Sequence, residues 1–361
     1  VETLVDTMRP SERWHGARQS GSLRALGATV EIVPSLTDSR QKIADELFDS
    51  LDNPDSQEQL LLRGPFGFGK STVLDALVQR FEARHNGAAM VARVDAAKFS
   101  NAREEEATLV YRRIGESLLL AAGLAPGEID TYEWGHTSPG STLWDLFDDV
   151  FDRSPNRPAL LVLDDLEKIA RLAGSTGMLG TLRQLVQAHS DPKFKRLSLV
   201  AAYEGVGDID NATASMFDTQ TQQEQIPVLA PWTLGECRQL VQHEKSVLAA
   251  NRVDTLFAMT GGHPMLFVRL LAAAPTNDTF DSWTANAAHD IVAQQLRRYF
   301  RAVSEDIPLR GTLRAILAKQ SDGQDPEQVR VLVDQGLFVG EGRELRPIGS
   351  HVEQWLRTTL R

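Results

Sequence analysis

The chain has 361 residues, 42% of them hydrophobic and 24% charged, with 38 basic against 49 acidic side chains and a formal net charge of −11. That length exceeds what one hydrophobic core usually serves, so two or three packed units are expected. No stretch approaches the ~20 apolar residues of a membrane span, the first residues lack the apolar core of a secretory signal, and the single cysteine, Cys237, excludes disulfides and cysteine-built metal sites. A cytoplasmic location is expected, and the acid surplus, nearly all before about residue 225, describes a poor nonspecific nucleic-acid binder.

Residues 1–28 show no lasting periodicity and read as an arm or linker. Ile43, Ala44, Leu47 and Leu51 then recur at helical spacing from Asp38 to Leu51. Next, Gln59-Leu60-Leu61-Leu62-Arg63 reads as a strand and Thr72-Val73-Leu74-Asp75-Ala76-Leu77-Val78 as a helix. Between them lies Gly64-Pro65-Phe66-Gly67-Phe68-Gly69-Lys70-Ser71, a complete phosphate-binding loop. Its glycines let successive N–H groups turn inward, and the helix after it offers its positive dipole end to phosphate. Residues Gly64 to Thr72 are the expected nucleotide contacts, with Lys70 reaching the β- and γ-phosphates and Ser71 holding Mg²⁺.

The helix is expected to stop at Asn86-Gly87, and a second strand to run from Ala89 to Asp95. A helix follows from Arg103 to Ala122, ended by Gly123, and residues 124 to about 143 read as an inserted irregular loop. Pro158-Ala159-Leu160-Leu161-Val162-Leu163-Asp164-Asp165 is a continuous apolar run ending in two carboxylates, the pattern of a parallel strand buried on both faces. The carboxyl end of such a strand is where open α/β sheets bind ligands. Asp164 suits the hydrated Mg²⁺, and Asp165 or Glu167 the orientation or deprotonation of water. Further strands are expected at Leu197–Ala202 and Gln225–Leu229, completing an α/β domain over residues 29–230 with a mostly parallel sheet and helices on both faces. Cys237 falls in the next helix, where it reads as a small buried hydrophobe.

The phosphate loop, the Asp164-Asp165 strand, the segment from Val228 to Glu236 and the run Thr260-Gly261-Gly262-His263-Pro264-Met265-Leu266 together resemble the AAA+ and STAND class of P-loop ATPases, with relatives among origin-recognition ATPases. The likeness extends from about residue 30 to the end. It implies ATP or ADP with Mg²⁺ as cofactors and a small helical lid over residues 231–303. In that lid Pro264 sits near the adenine or the lid junction, and His263 either senses phosphate or only satisfies its turn. It further implies a winged helix over 304–361: helices Leu309–Lys319 and Pro326–Gln335, a hairpin from Leu337 to Ile348, and a last helix carrying Val352, Trp355 and Leu356. Three acids against one arginine in Asp325–Gln335 argue for a protein contact over a DNA reader there, and Arg297-Arg298-Tyr299-Phe300-Arg301 reads as a solvated helix face.

The pattern departs from the class at Ala202-Tyr203-Glu204, where an Asn, Ser, Thr or Arg is usual, and no arginine finger is assigned, with Arg171, Lys195 and Arg196 as candidates. A slow ATPase follows, used as a switch whose nucleotide state governs a homo-oligomer or a protein partner. A DNA-gripping ATPase and a nonhydrolysing ADP-bound scaffold are the rival readings.

Overall fold

The computed structural model describes residues 37–51, 59–95, 107–132, 134, 139–170, 180–182, 184, 185, 188, 191, 193–204, 226–243, 248–305, 307–319, 324–340 and 344–360. The 1–28 arm and Arg171 lie outside them. Four strands, β1 (Gln59–Arg63), β2 (Met90–Asp95), β3 (Ala159–Asp164) and β4 (Leu197–Tyr203), form a parallel sheet in the order β1-β4-β3-β2. This places β3 and β4, with their polar ends, in the middle.

Alternation along β3 explains why its run is apolar throughout. Leu160 and Val162 enter the core on one face of the sheet, whereas Ala159, Leu161 and Leu163 enter the core on the other. On the second face lie α3 (Ala107–Ala122), α4 (Pro139–Arg153) and the short α5 (Leu166–Ala170). On the first lie α1 (Asp38–Leu51) and α2 (Lys70–Arg84).

The same first-face core continues without a break into the rest of the chain. It takes in α6 (Leu234–His243), α7 (Ala250–Thr260), α8 (Pro264–Ala273), α9 (Phe280–Ala285) and α10 (Ala287–Glu305). Beyond these are α11 (Ile307–Leu317), α12 (Pro326–Asp334), an antiparallel pair β5 (Phe338–Val339) and β6 (Arg346–Pro347), and α13 (Ser350–Thr359). Leu62, Leu266, Leu332 and Trp355 thus belong to one apolar cluster. Cys237 is fully buried in it, and burial pushes its thiol up to about 12.

Two expectations are corrected. Residues 124–143 are not an irregular loop throughout: Pro126–Thr131 is a 3₁₀ turn, and α4 already begins at Pro139. Ile129 and Trp134 are buried, the Trp134 indole donates to the Ile129 carbonyl at 3.0 Å, and Gly115 of α3 makes room for Ile129. The strand expected at Gln225–Leu229 reduces to one bridge between Val228 and Arg63. Arg63 N–H donates to Pro227 and Leu229 N–H to Arg63, but Pro227 has no N–H and Pro231 follows closely, so the ladder stops. Among the described residues no helix is long and apolar enough to cross a membrane.

Candidate nucleotide site

The loop between β1 and α2 is held by backbone bonds at its base and by glycines at its tip. Gly64 N–H donates to the Tyr203 carbonyl at 3.1 Å, and Phe68 N–H to Pro65 at 3.2 Å. Gly67 and Gly69 have φ of 74° and 88°, in the left-handed region, and Gly69 leads directly into α2. Lys70 is buried, and its Nζ donates to the Gly64 carbonyl at 2.8 Å and the Pro65 carbonyl at 3.4 Å. The expected phosphate lysine therefore sits within the curl of its own loop.

A cavity of about 310 Å³ opens beside the loop. Residues 66–72 line one side, with Asp165. Thr37 and Arg40 from α1 and its approach, Trp232, and Pro264, Met265, Val268 and Arg269 from α8 line the rest. Two buried donors in this wall, Arg40 Nε and Trp232 Nε1, have no hydrogen-bond partner among the described residues. An apolar cavity with a few unsatisfied donors next to a phosphate loop fits a nucleotide.

The sequence Thr233-Leu234-Gly235-Glu236 explains how Arg40 is placed. Thr233 and Glu236 form a capping box at the start of α6: Thr233 N–H donates to Glu236 Oε2 at 2.8 Å, and Glu236 N–H to Thr233 Oγ1 at 3.2 Å. Ser39 donates to the other oxygen of Glu236, tying α1 to α6. Arg40 then donates to the carbonyls of Phe68 and Ala230, and burial lowers its pKa to about 10 against the pull of Glu236. Neither Arg40 nor Arg269 stood out in the sequence, because a lone basic residue on an amphipathic helix carries no motif.

The Gly261-Gly262-His263-Pro264 run brings α8 onto the loop. Met265 N–H donates to the Gly67 carbonyl at 3.1 Å, and a Cβ on Gly67 would stand 2.9 Å from His263 Cε1 and from Met265 Cβ. His263 is buried edge-on against Phe68, with ring centroids 4.8 Å apart, and burial lowers its pKa to about 3. Pro264 lines the cavity, whereas the His263 ring packs behind Phe68 and is not among the lining residues.

The carboxylates are arranged unequally. Asp164 is buried, with Oδ2 2.8 Å from Arg93 Nη2, and Arg93 also bonds Asp75 of α2. Its Oδ1 has no hydrogen-bond partner among the described residues, a hard oxygen that together with the Ser71 hydroxyl suits Mg²⁺. Arg93 escaped the sequence reading because one arginine in a half-buried strand resembles a surface residue. Asp165 has φ 58° and pairs with Lys168 at 2.5 Å. Glu167 is buried, and its pKa rises to about 7, chiefly through burial and then through Glu204, with Lys70 opposing. Of the finger candidates, Lys195 is exposed, whereas Arg196 donates to the Ser154 and Arg157 carbonyls and lies over the Phe151 ring, committed within the chain.

Comparison with solved structures gives the same architecture at low identity. A Walker-type ATPase of Pyrococcus abyssi aligns over 91% of this chain and 99% of that one, with a TM-score of 0.57 and 14% identity. The ORC2 protein of Aeropyrum pernix, in its ADPNP–ADP complexes, aligns over 92% and 96%, with a TM-score of 0.55 and 14% identity. The CDC6P protein of Pyrobaculum aerophilum aligns over 92% and 98%, with a TM-score of 0.50 and 14% identity. Such identities speak for the fold alone, that of a P-loop NTPase. No curated protein matches the sequence. The model of a family described as an AAA-like domain matches residues 40–357, nearly the whole length, and the chain belongs to that family.

Proposed function

We propose that this protein is an ATP-dependent switch, in which nucleotide held by the phosphate loop sets the position of a helical lid (231–303) and a C-terminal winged-helix unit (304–361). One observation carries the reading: the loop touches both units. Gly67 bonds α8 through Met265, and Gly336, which follows α12, packs so closely that its Cβ would stand 2.6 Å from Pro65 and 2.7 Å from Phe68. A shift of the loop on phosphate binding must therefore move, or be resisted by, both units.

In this reading Lys70 leaves the Gly64 and Pro65 carbonyls and donates to the β- and γ-phosphates. The N–H groups of the loop from Gly67 to Thr72 cradle those phosphates, and the base lies in the cavity beside Trp232, Pro264 and Val268. Arg269 is placed on α8 to add positive charge at the phosphates. Ser71 and Asp164 hold Mg²⁺, which when bound screens the phosphate charge. Asp165 and Glu167 orient the attacking water, and Glu167, with its pKa near 7, is suited to accept a proton. With Arg196 engaged internally, a second copy or a partner supplies the further cation for a fast reaction, beyond Lys70 and Arg269.

A protein partner or a second copy is favoured over DNA. Asp325, which caps α12, and Glu327 are exposed acids on that helix, and Asp334 pairs with Arg63. The end of α12 is also docked on the nucleotide domain, which argues against a recognition helix.

The test is hydrogen exchange of the full chain with no nucleotide, with ADP and with ATP plus Mg²⁺. Altered protection at 326–340 and at Pro264–Ala273 that differs between ADP and ATP is the expected result. Nucleotide binding that protects residues 64–72 but leaves both regions unchanged would refute the switch and favour a scaffold.

A further inference from the structure

Three carboxylates converge at the carboxyl ends of β3 and β4: Asp165, Glu167 and Glu204 each offer an oxygen, and these oxygens lie within 4.8 Å of one another. Acidic side chains often crowd together at a surface without consequence. Here the middle one is 2% exposed. Glu167 Oε2 accepts the Glu204 backbone N–H at 3.3 Å, while its Oε1 is buried with no hydrogen-bond partner among the described residues. A buried carboxylate oxygen left without a donor is unfavourable, and two further carboxylates beside it make it more so.

Among the described residues no lysine donates to that oxygen. Lys70 donates to the Gly64 and Pro65 carbonyls, and Lys168 is bonded to Asp165. The adjacent Asp164 already has a counter-charge in Arg93, and Glu167 Oε1 is the oxygen left without a donor among the described residues. An all-oxygen anionic set selects hard divalent ions such as Mg²⁺, Mn²⁺ or Ca²⁺. Oxygens on opposite sides of such an ion, bound at about 2.1–2.5 Å, stand roughly 4–5 Å apart, so the cluster fits within one coordination shell.

We propose that Asp165, Glu167 and Glu204 form a divalent-cation site that fills before nucleotide arrives, separate from the Ser71–Asp164 pair assigned to the nucleotide's metal. Its consequence, though not its occupancy, rests on the nucleotide reading: the ion offsets carboxylate charge that otherwise opposes an incoming triphosphate.

The experiment is titration of the nucleotide-free full chain with Mn²⁺, read by electron paramagnetic resonance and calorimetry, for the wild type, Glu204→Gln, Asp165→Asn and Ser71→Ala. The expected result is one Mn²⁺ per chain, competed by Mg²⁺ or Ca²⁺. Each carboxamide variant should bind at least ~10-fold more weakly, the scale on which single changes at metal sites act, and Ser71→Ala should match the wild type. Neither carboxamide substitution falls on a fully buried residue, and circular dichroism verifies their fold. No Mn²⁺ bound at millimolar concentration without nucleotide, or affinity unchanged in both folded carboxamide variants, overturns the site. Parallel ATP titrations keep the two ideas apart. ATP binding without prior Mn²⁺ binding sinks this inference alone, whereas Mn²⁺ binding lost in the variants supports it even if ATP does not bind.

Discussion

Arg63, the last residue of β1, is bonded to Asp334, the last residue of α12, with Nη2 and Oδ1 2.5 Å apart. They are 271 positions apart in the chain, and Arg63 immediately precedes the first glycine of the phosphate loop. Their side chains are 23% and 11% exposed, so the pair lies between a surface ion pair and a buried one. Breaking it is expected to cost ~1–3 kcal/mol, between the values typical of those two cases. A double-mutant cycle of Arg63→Ala and Asp334→Ala in urea denaturation measures this. Additive effects would show that the contact is incidental to the docking of α12.

Lys70→Ala removes a charged donor expected to make two phosphate bonds. At ~1.5–3 kcal/mol for each bond to a charged group, ATP affinity should fall by about 100-fold or more. Equilibrium binding of a fluorescent ATP analogue reads the change, and unaltered affinity would remove the loop from the site.

ATP turnover per subunit should rise with protein concentration and vanish in Asp165→Ala, because Arg196 is committed within the chain and the proposed reaction draws its further cation from a second copy. Turnover independent of concentration would place the missing charge in cis.

His263 supplies the pH dependence. Its folded pKa of about 3 lies below the ordinary value of 6.5, because burial disfavours the imidazolium. The unfolded chain therefore takes up the proton first on acidification. The stability due to neutral His263 is complete above about pH 6.5 and declines toward pH 3, by ~1.4 kcal/mol per pH unit within that window. Urea midpoints between pH 4 and 7 should show His263→Gln losing this part of the slope; a parallel profile would contradict the burial.

The turn before α8 tolerates no side chain. Gly261 has φ 60° and a Cβ there would fall 1.3 Å from the Ile348 carbonyl oxygen; Gly262 has φ 79° and a Cβ 2.0 Å from that of Trp232. Either alanine substitution is expected to destabilise the chain by about 3 kcal/mol or more, as backbone clash and positive φ combine. Thermal melting checks this, and a shift of a degree or two would be incompatible with the turn.

Much of this site could be read from residue order alone, because its parts are local. The loop needs Gly67 and Gly69 close in sequence, β3 needs an unbroken apolar run, and α6 needs Thr233 three residues before Glu236. What escaped was non-local. Nothing near Arg93 announces Asp164 71 positions away, and nothing near Glu204 announces Glu167. The order of Ile129 and Trp134 has no helical or strand period, so their packing over Gly115 was invisible until α3 and α4 were brought together. A count of charges on α12 carries no direction: Asp334 points inward to Arg63, whereas Asp325 and Glu327 are exposed.

Lys70, bonded to the Gly64 and Pro65 carbonyls, gives the loop a resting arrangement of its own. In the proposed reading an arriving phosphate would exchange one set of lysine bonds for another, so the gain on binding would be smaller than the new contacts suggest. The reverse step would be eased equally, since a departing nucleotide would leave no buried ammonium stranded. On that reading the lysine is an internal competitor for its own site, which favours exchange over permanent retention.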